Sequence, residues 1–355
     1  MAALDDPDFN HLPRPVAALF ARAAARSFFA LPIWYHVLAR YGTDKGDVPR
    51  LYVDGAARGA LACRMPRPGA RRLGGLANYY STEHGPIYGD AAALPQALDE
   101  IAREISADGI EAVRLPGLDP ADPGFAALES AFRRNGFAVH RYFDSGTWFE
   151  NIAGIDFARY VAARPASLRN TWQRKNRKLE SAGRMTLVFH DDAVRIEQGV
   201  AEYQRIYAAS WQESEPFPEF MPHLIRATAE AGALRLGILK LDGEPAATQC
   251  WILWDGRATI YKLAHDRRFD DLSVGTVLSM RMMERVLEND RPREVDLGRG
   301  DDPYKKLWLS QRRERWGLVA FNPRTPAGRL LAWREAAAGA AKRLLGLLPP
   351  GPRLR

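Results

Sequence analysis

The sequence predicts an α/β (α+β) protein made of two copies of one unit, each a mixed twisted sheet flanked by helices. Three observations carry that prediction. First, LYVDGAARGALAC (51–63) and LKLDGEPAATQC (239–250) each alternate apolar residues around an Asp-Gly pair, a strong hairpin signal because a type I′ turn needs positive φ. Second, each hairpin is followed by a helix with 3.6-residue apolar spacing and a strand: LPQALDEIAREISADGIEAVRLPG in one half, VGTVLSMRMMERVLENDRPREVDLG in the other. Third, a further helix and strand follow each, PGFAALESAFRRNGFAVHRY and DPYKKLWLSQRRERWGLVAFN. The repeated order is strand, strand, helix, strand, helix, strand.

Composition bounds the classes open to the chain. At 355 residues and 46% apolar, it is long enough for two packed cores. No window approaches a membrane span, and the acidic, proline-broken start MAALDDPDFNHLPRP is unlike a signal peptide, so the expected compartment is the cytoplasm. The cysteines, Cys63 and Cys250, exclude a disulfide framework and a four-thiolate metal site, and are expected reduced within strands. No histidine pair has ligand spacing, so no metal is expected. A net charge of +7 points to a polyanionic partner.

Between the copies, RPASLRNTWQRKNRKLESAGRM (164–185) reads as a helix with Ser167 as N-cap and Gly183 near its end. Leu168, Trp172 and Leu179 form a thin apolar seam, and Arg169, Arg174, Lys175, Arg177 and Lys178 make the rest cationic. Either it is a solvated linker, or its cations, with Arg174 and Arg177 as substrate-binding candidates, hold a polyanion. From Thr325 a basic amphipathic helix follows, with Leu330, Trp333, Ala337, Ala341, Leu344, Leu345 and Leu348 on a broad face and Arg329, Arg334, Lys342 and Arg343 elsewhere. It packs on the protein's own body or makes peripheral contact with an anionic membrane at its inner face. The expected domains are 1–160, a linker helix at 161–190, 191–325, and a tail helix at 326–355.

The copies differ where chemistry is expected. In TIYKLAHDRRFDDLSVGTVLSMRMMERVL (259–287), a strand enters a polar turn and a helix begins around Ser273, Val274, Gly275 and Thr276. Such a helix start presents unpaired N–H groups and the positive dipole end, which suits a pyrophosphate, with Arg267 and Arg268 just upstream. The first copy has ANYYSTEHGPIYGDAAALPQALDE there, carrying Glu83 and Asp90, and is not expected to bind phosphate.

VDLGRGDDPYKKLW (295–308) then crowds polar groups at a strand end. Gly298 and Gly300 let a ligand approach, and Tyr304 and Lys305 are expected to begin a helix. Acyl transfer to an amine needs a base for the nitrogen, donors for the carbonyl oxygen and a proton for the leaving thiolate. Tyr304 is the candidate proton donor; Asp296, His265 and Asp301 remain open as the base, with Lys305 grouped among the catalytic candidates. Each has a structural alternative: a turn cap for Asp296 or Asp301, a hydrogen-bonded strand-end residue for His265, a core anchor for Tyr304. Tyr79 and Tyr80 of the NYYSTEHGP loop (78–86), Trp211 and Gln249 are the remaining substrate-binding candidates. Trp211, Trp251 and Trp308 also suit a core or pocket wall.

KLAHDRRFDDLSVGTVL followed by DLGRGDDPYKKLW, with RPASLRNTWQRKNRKLE upstream, resembles the GNAT-fold acyltransferases of the CelD/BcsL (BioF2-like) type, relatives of the FemAB peptidyltransferases with tandem GNAT-like domains. The likeness covers roughly residues 25 to 325 and is strongest over 160 to 310. It implies acyl-CoA as co-substrate in the second domain, its pantetheine between two splayed parallel strands and its pyrophosphate on Ser273, Val274, Gly275 and Thr276, with Tyr304 protonating the thiolate. Leu272 and Val277 depart from the Q/R-x-x-G-x-G/A signature. The implied reaction is N-acylation of an amine acceptor, such as an amino sugar or a precursor of an exopolysaccharide or other surface polymer. The alternatives are a FemAB-like transferase using aminoacyl-tRNA, whose phosphates suit the basic helix, and a non-catalytic binding protein of a polysaccharide or membrane assembly.

Overall fold

The computed structural model describes residues 3–344, and side chains as far as residue 338. The chain folds into two units, Met1–Gly146 with Glu314–Arg355, and Thr147–Arg313. Their limits fall inside two strands, Ala138–Asn151 and Gln311–Phe321, not in a linker. The basic helix, Ala166–Ser181, belongs to the second unit.

In the first unit, helices Arg14–Ala23 and Pro32–Tyr41 pack through Phe20 and Tyr35, whose rings meet edge to face at 5.9 Å. The hairpin Val48–Val53 and Gly59–Met65 forms as expected, but its loop is not a two-residue turn. Asp54 is buried, and its Oδ1 accepts from the amides of Arg58 (2.6 Å) and Gly59 (2.7 Å), so the loop widens and positive φ falls on Ala57. Helices Leu94–Ala107 and Pro123–Arg134 bury Leu98, Ile101, Ile105, Leu128 and Phe132 in one core. Each such side chain contributes roughly 1.5–3 kcal/mol of apolar burial. Strand Arg72–Gly75 runs parallel to Ala112–Leu118, which pairs on its other side with Trp316–Phe321 of the late strand.

In the second unit, Met185–His190, Leu234–Leu241, Glu244–Trp254 and Arg257–His265 form an antiparallel run in which Leu234–Leu241 lies between Met185–His190 and Glu244–Trp254. Here the Asp-Gly turns behave as sequence predicts: Asp242 and Gly243 both have positive φ (51° and 83°). A third such pair, Asp255 and Gly256, joins the next two strands (41° and 72°). Glu294–Asp296 adds a parallel strand. Helix Val274–Arg285 buries Val277, Leu278, Met282 and Met283 on this sheet, and Gly237 in the strand beneath leaves room for Met282, where any side chain would collide. Cys63 and Cys250 are free and buried within strands.

Two local expectations are corrected. The basic helix spans Ala166–Ser181 with Pro165, not Ser167, at its N-cap. Its seam is as read: Leu168, Trp172 and Leu179 are buried. Tyr304 and Lys305 begin no helix; Lys305–Leu307 is a single 3-10 turn, because Lys305 is drawn back onto the preceding loop. The tail helix, Pro326–Leu344, opens with Thr325 Oγ1 accepting from the amide of Gly328 at 3.0 Å. Leu345 and Leu348 lie outside the described residues, as do the side chains of Ala341, Lys342, Arg343 and Leu344.

Candidate functional site

Strands Arg257–His265 and Glu294–Asp296 pair only from Arg257↔Glu294 to Thr259↔Asp296. Beyond Thr259 the first strand continues to His265, whereas the second ends at Asp296. Their carboxyl ends lead, side by side, into the helix start at Ser273 and the loop carrying Tyr304.

A 3-10 segment, Arg267–Leu272, and Ser273 in the left-handed region (φ 53°) turn the chain into helix Val274–Arg285. Ser273 does not cap the helix with its side chain. The first bond into the helix is Val277 N–H to Ser273 O at 3.1 Å. Among the described residues the amides of Val274, Gly275 and Thr276 have no acceptor, which leaves a concentrated donor set at the positive dipole end. Among the described residues no carboxylate accepts from these amides. The turn is held from below: Trp251 Nε1 donates to Gln249 Oε1 (2.8 Å), Gln249 Nε2 to Ser279 Oγ, and the Ser279 hydroxyl to Gly275 O (2.9 Å). Gln249 and Trp251 are buried, and both polar ends of the Gln249 amide are engaged in this support. From the basic helix, Lys175 Nζ donates to the carbonyl of Asp271, placing a cation beside the turn.

His265 faces the same turn. Its Nδ1 lies 3.1 Å from where a Cβ on Gly275 would stand, its Nε2 is 2.8 Å from Asp270 Oδ1, and its ring lies 4.3 Å from that of Trp211. Trp211 is 46% exposed. Arg267 is exposed with no ion pair among the described residues, whereas Arg268 donates twice to Asp266 (2.8 and 2.7 Å) and lies over Phe269. Arg174, Arg177 and Lys178 are exposed on the basic helix, opposite its buried seam.

The loop after Glu294–Asp296 separates its polar residues into two kinds. Asp296 is buried, accepts from the amide of Gly298 (2.6 Å) and the hydroxyl of Thr147 (3.2 Å), and pairs with Arg313. Asp301 accepts from Arg312 Nε (2.8 Å) and Trp148 Nε1 (2.8 Å); these bonds, Arg312 first, hold its carboxyl below the usual range. Lys305 is buried and donates to the carbonyls of Leu297 (3.1 Å), Arg299 (2.7 Å) and Gly300 (3.3 Å). Burial lowers its pKa. These three groups serve the loop itself. Tyr304 differs: it is 42% exposed, its hydroxyl has no hydrogen bond among the described residues, and burial, aided by Asp302, pushes the phenol up to about 12.

The first unit has a comparable opening, and its own chain fills it. Arg72–Gly75 and Ala112–Leu118 pair only as far as Gly74↔Arg114. Beyond that, His84 donates its amide to Gly117 O (3.0 Å) and its Nε2 meets Ala62 O (3.0 Å), while the ring lies against Gly75. The following helix carries Pro95 in its first turn and so lacks one of the N–H donors. Tyr80 is buried and Tyr79 is 62% exposed in this unit. An open depression of about 810 Å³ in the same unit is bounded by Asp99, Arg103 and Arg134, which pair with one another. Among the described residues no group of His, Cys, Asp and Glu can hold a metal, and no helix is long and apolar enough to cross a membrane.

Sequence reasoning passed over Asp270, Ser279 and the contact made by Lys175. The first had a signal, a carboxylate five residues after the histidine across a tight turn; the others depend on packing between elements.

This fold is of the GNAT type. Residues 166–306 match the family model described as an acetyltransferase (GNAT) domain, and that stretch is a GNAT domain. The chain resembles the crystal structure of FemX (TM-score 0.63, 12% identity, 94% of this chain and 100% of that one). It is also similar to the C-terminal domain described as that of a lysylphosphatidylglycerol synthetase from Agrobacterium fabrum (0.56, 14%, 91% and 96%). A tandem GNAT protein from the clavulanic acid biosynthesis pathway aligns as well (0.50, 15%, 90% and 98%). At these identities the likeness establishes the fold. Comparison with curated proteins gave no match.

Proposed function

We propose that the second unit transfers an acyl group from acyl-CoA to an amine acceptor. The observation that carries this reading is the set of unbonded amides at Val274, Gly275 and Thr276, on the helix that follows strand Arg257–His265 past the end of its parallel pairing. Such a set suits a diphosphate, and Gly275 brings no Cβ into the approach. Arg267, free of carboxylates, adds positive charge, as does Lys175. Acyl-CoA, when bound, supplies the activated thioester.

The chain's own groups divide the proton work. An ionised Asp270 accepts only, so it places the proton of His265 on Nε2 and leaves Nδ1 basic, facing the helix start. His265 is therefore the base assigned to the attacking amine, ahead of Asp296 and Asp301, which are already engaged. Tyr304, neutral and unengaged, is the proton donor to the departing thiolate. Trp211 walls the histidine on its other side. Titration calorimetry with CoA tests the reading: micromolar or tighter binding that is lost in Gly275→Asp supports it, and no heat with any acyl-CoA overturns it.

A second reading, with aminoacyl-tRNA as donor, is favoured by the exposed Arg174, Arg177 and Lys178, which form a cationic face suited to a phosphate backbone. It requires salt-sensitive tRNA binding that disappears when the three are neutralised. An amino sugar or surface-polymer precursor as acceptor belongs to the first reading, and a cytoplasmic setting, supplied with CoA esters, is proposed with it.

A further inference from the structure

Among the described residues, the contacts that hold helix Pro326–Leu344 lie at its beginning. Thr325 caps it, Arg329 Nε donates to Pro323 O (3.2 Å), and Gly328 is buried so closely on Asn322 O that no side chain would fit. Past Gly328, Leu331 and Ala332 stay half-buried and the opposite face is open. Arg329, Leu330, Trp333, Arg334 and Ala337 are all exposed, Leu330 at 56% and Trp333 at 70%. Over residues 329–338 the expected packing on the protein's own body is confined to Leu331 and Ala332.

Leu330, Trp333 and Ala337 recur at i, i+3 and i+7 and so share one face. By the same period Arg329 and Arg334 border that face on either side, and Glu335 falls on the opposite one. Among the described residues neither arginine pairs with a carboxylate. An apolar strip carrying a tryptophan and edged by unpaired guanidiniums is complementary to the headgroup boundary of an anionic bilayer, where the ring enters and the cations meet phosphate. A protein partner fits less well. Leu330 and Trp333 together expose on the order of 250 Å², against roughly 800 Å² per partner in a stable interface.

We infer that this helix docks the enzyme on anionic membrane surfaces, lying in the interface plane with Trp333 as its apolar anchor. The assignment is independent of the acyl donor. The experiment is co-sedimentation of the full chain with vesicles of phosphatidylcholine alone and of equimolar phosphatidylcholine and phosphatidylglycerol, with sedimentation velocity in parallel. Wild type should pellet with the anionic vesicles and be released by salt. The double variants Leu330→Ala/Trp333→Ala and Arg329→Glu/Arg334→Glu should each lower the bound fraction roughly tenfold or more. All four positions are exposed, so neither pair endangers folding. Equal pelleting with both vesicle types, or unchanged binding by the apolar double variant, overturns the inference. So does a wild-type dimer that this variant dissociates, since the face would then belong to a second copy.

Discussion

His265 Nε2 and Asp270 Oδ1 stand 2.8 Å apart across a single 3-10 turn, so the residue before that turn and a carboxylate within it form one unit. The pairing holds the ring so that Nδ1 faces Gly275. Replacing His265 with Ala should lower kcat by roughly 10²–10⁴ with little change in CoA affinity, the range for loss of a general base. Asp270→Asn should give a smaller loss in the same direction. Steady-state kinetics with acetyl-CoA and a panel of primary amines would show it; a fall in CoA affinity with kcat intact would place His265 in binding instead.

Tyr304→Phe should reduce turnover while calorimetry shows wild-type CoA affinity, because a proton donor acts mainly in the transition state. With its phenol pushed up to about 12, Tyr304 stays protonated across the working range, so it should impose no alkaline fall in rate below about pH 11. An alkaline limb near pH 9 that vanishes in Tyr304→Phe would contradict this.

At Gly275, alanine and aspartate separate crowding from charge. A Cβ there would stand 3.1 Å from His265 Nδ1, so Gly275→Ala should shift the imidazole and cost kcat more than binding. Gly275→Asp adds a negative group beside the unbonded amides and should abolish CoA binding. Equal affinity in both variants would remove the helix start from donor recognition.

Lys305→Met should leave the chemistry of the remaining folded protein intact while lowering stability by about 2–4 kcal/mol, because it strips the donors from three carbonyls and leaves buried acceptors unmatched. A urea midpoint equal to wild type would show that the loop is held by other contacts.

Asp301 gives a pH-dependent test. Its folded pKa lies below the unfolded value of 3.8, chiefly through Arg312, so its stabilisation is present above that value and fades as pH falls through the lower, folded one. The difference in urea midpoint between wild type and Asp301→Asn should therefore be largest near neutrality and shrink below pH 4. A difference that grows on acidification would reverse the assigned sign.

Periodicity made the hairpin, helix and next strand of each copy, the helix at Val274 and the buried seam of the basic helix legible, because each follows from residues close in sequence; the second copy's last helix is a single turn and its last strand pairs in the first unit. The two Asp-Gly hairpins show where that stops. Asp242 turns its carboxylate outward to Arg184, leaves the loop amides alone and forms the predicted turn, whereas Asp54 caps two amides and remodels its loop. The engaged state of Asp296 rests on Arg313, and that of Lys305 on carbonyls five to eight residues back; neither has a spacing signature. Buried lysines and aspartates are rare, so their sequence context reads as solvated chemistry until the partners are seen.

Strand Ala112–Leu118 takes one of its neighbours, Trp316–Phe321, from about 200 positions further along the chain. On the ribosome that edge must therefore wait, unpaired, while the whole of Thr147–Arg313 is synthesised, and the unit begun first is the one completed last. Truncation before residue 316 should accordingly yield insoluble product, with its exposed strand edge as the nucleus of aggregation.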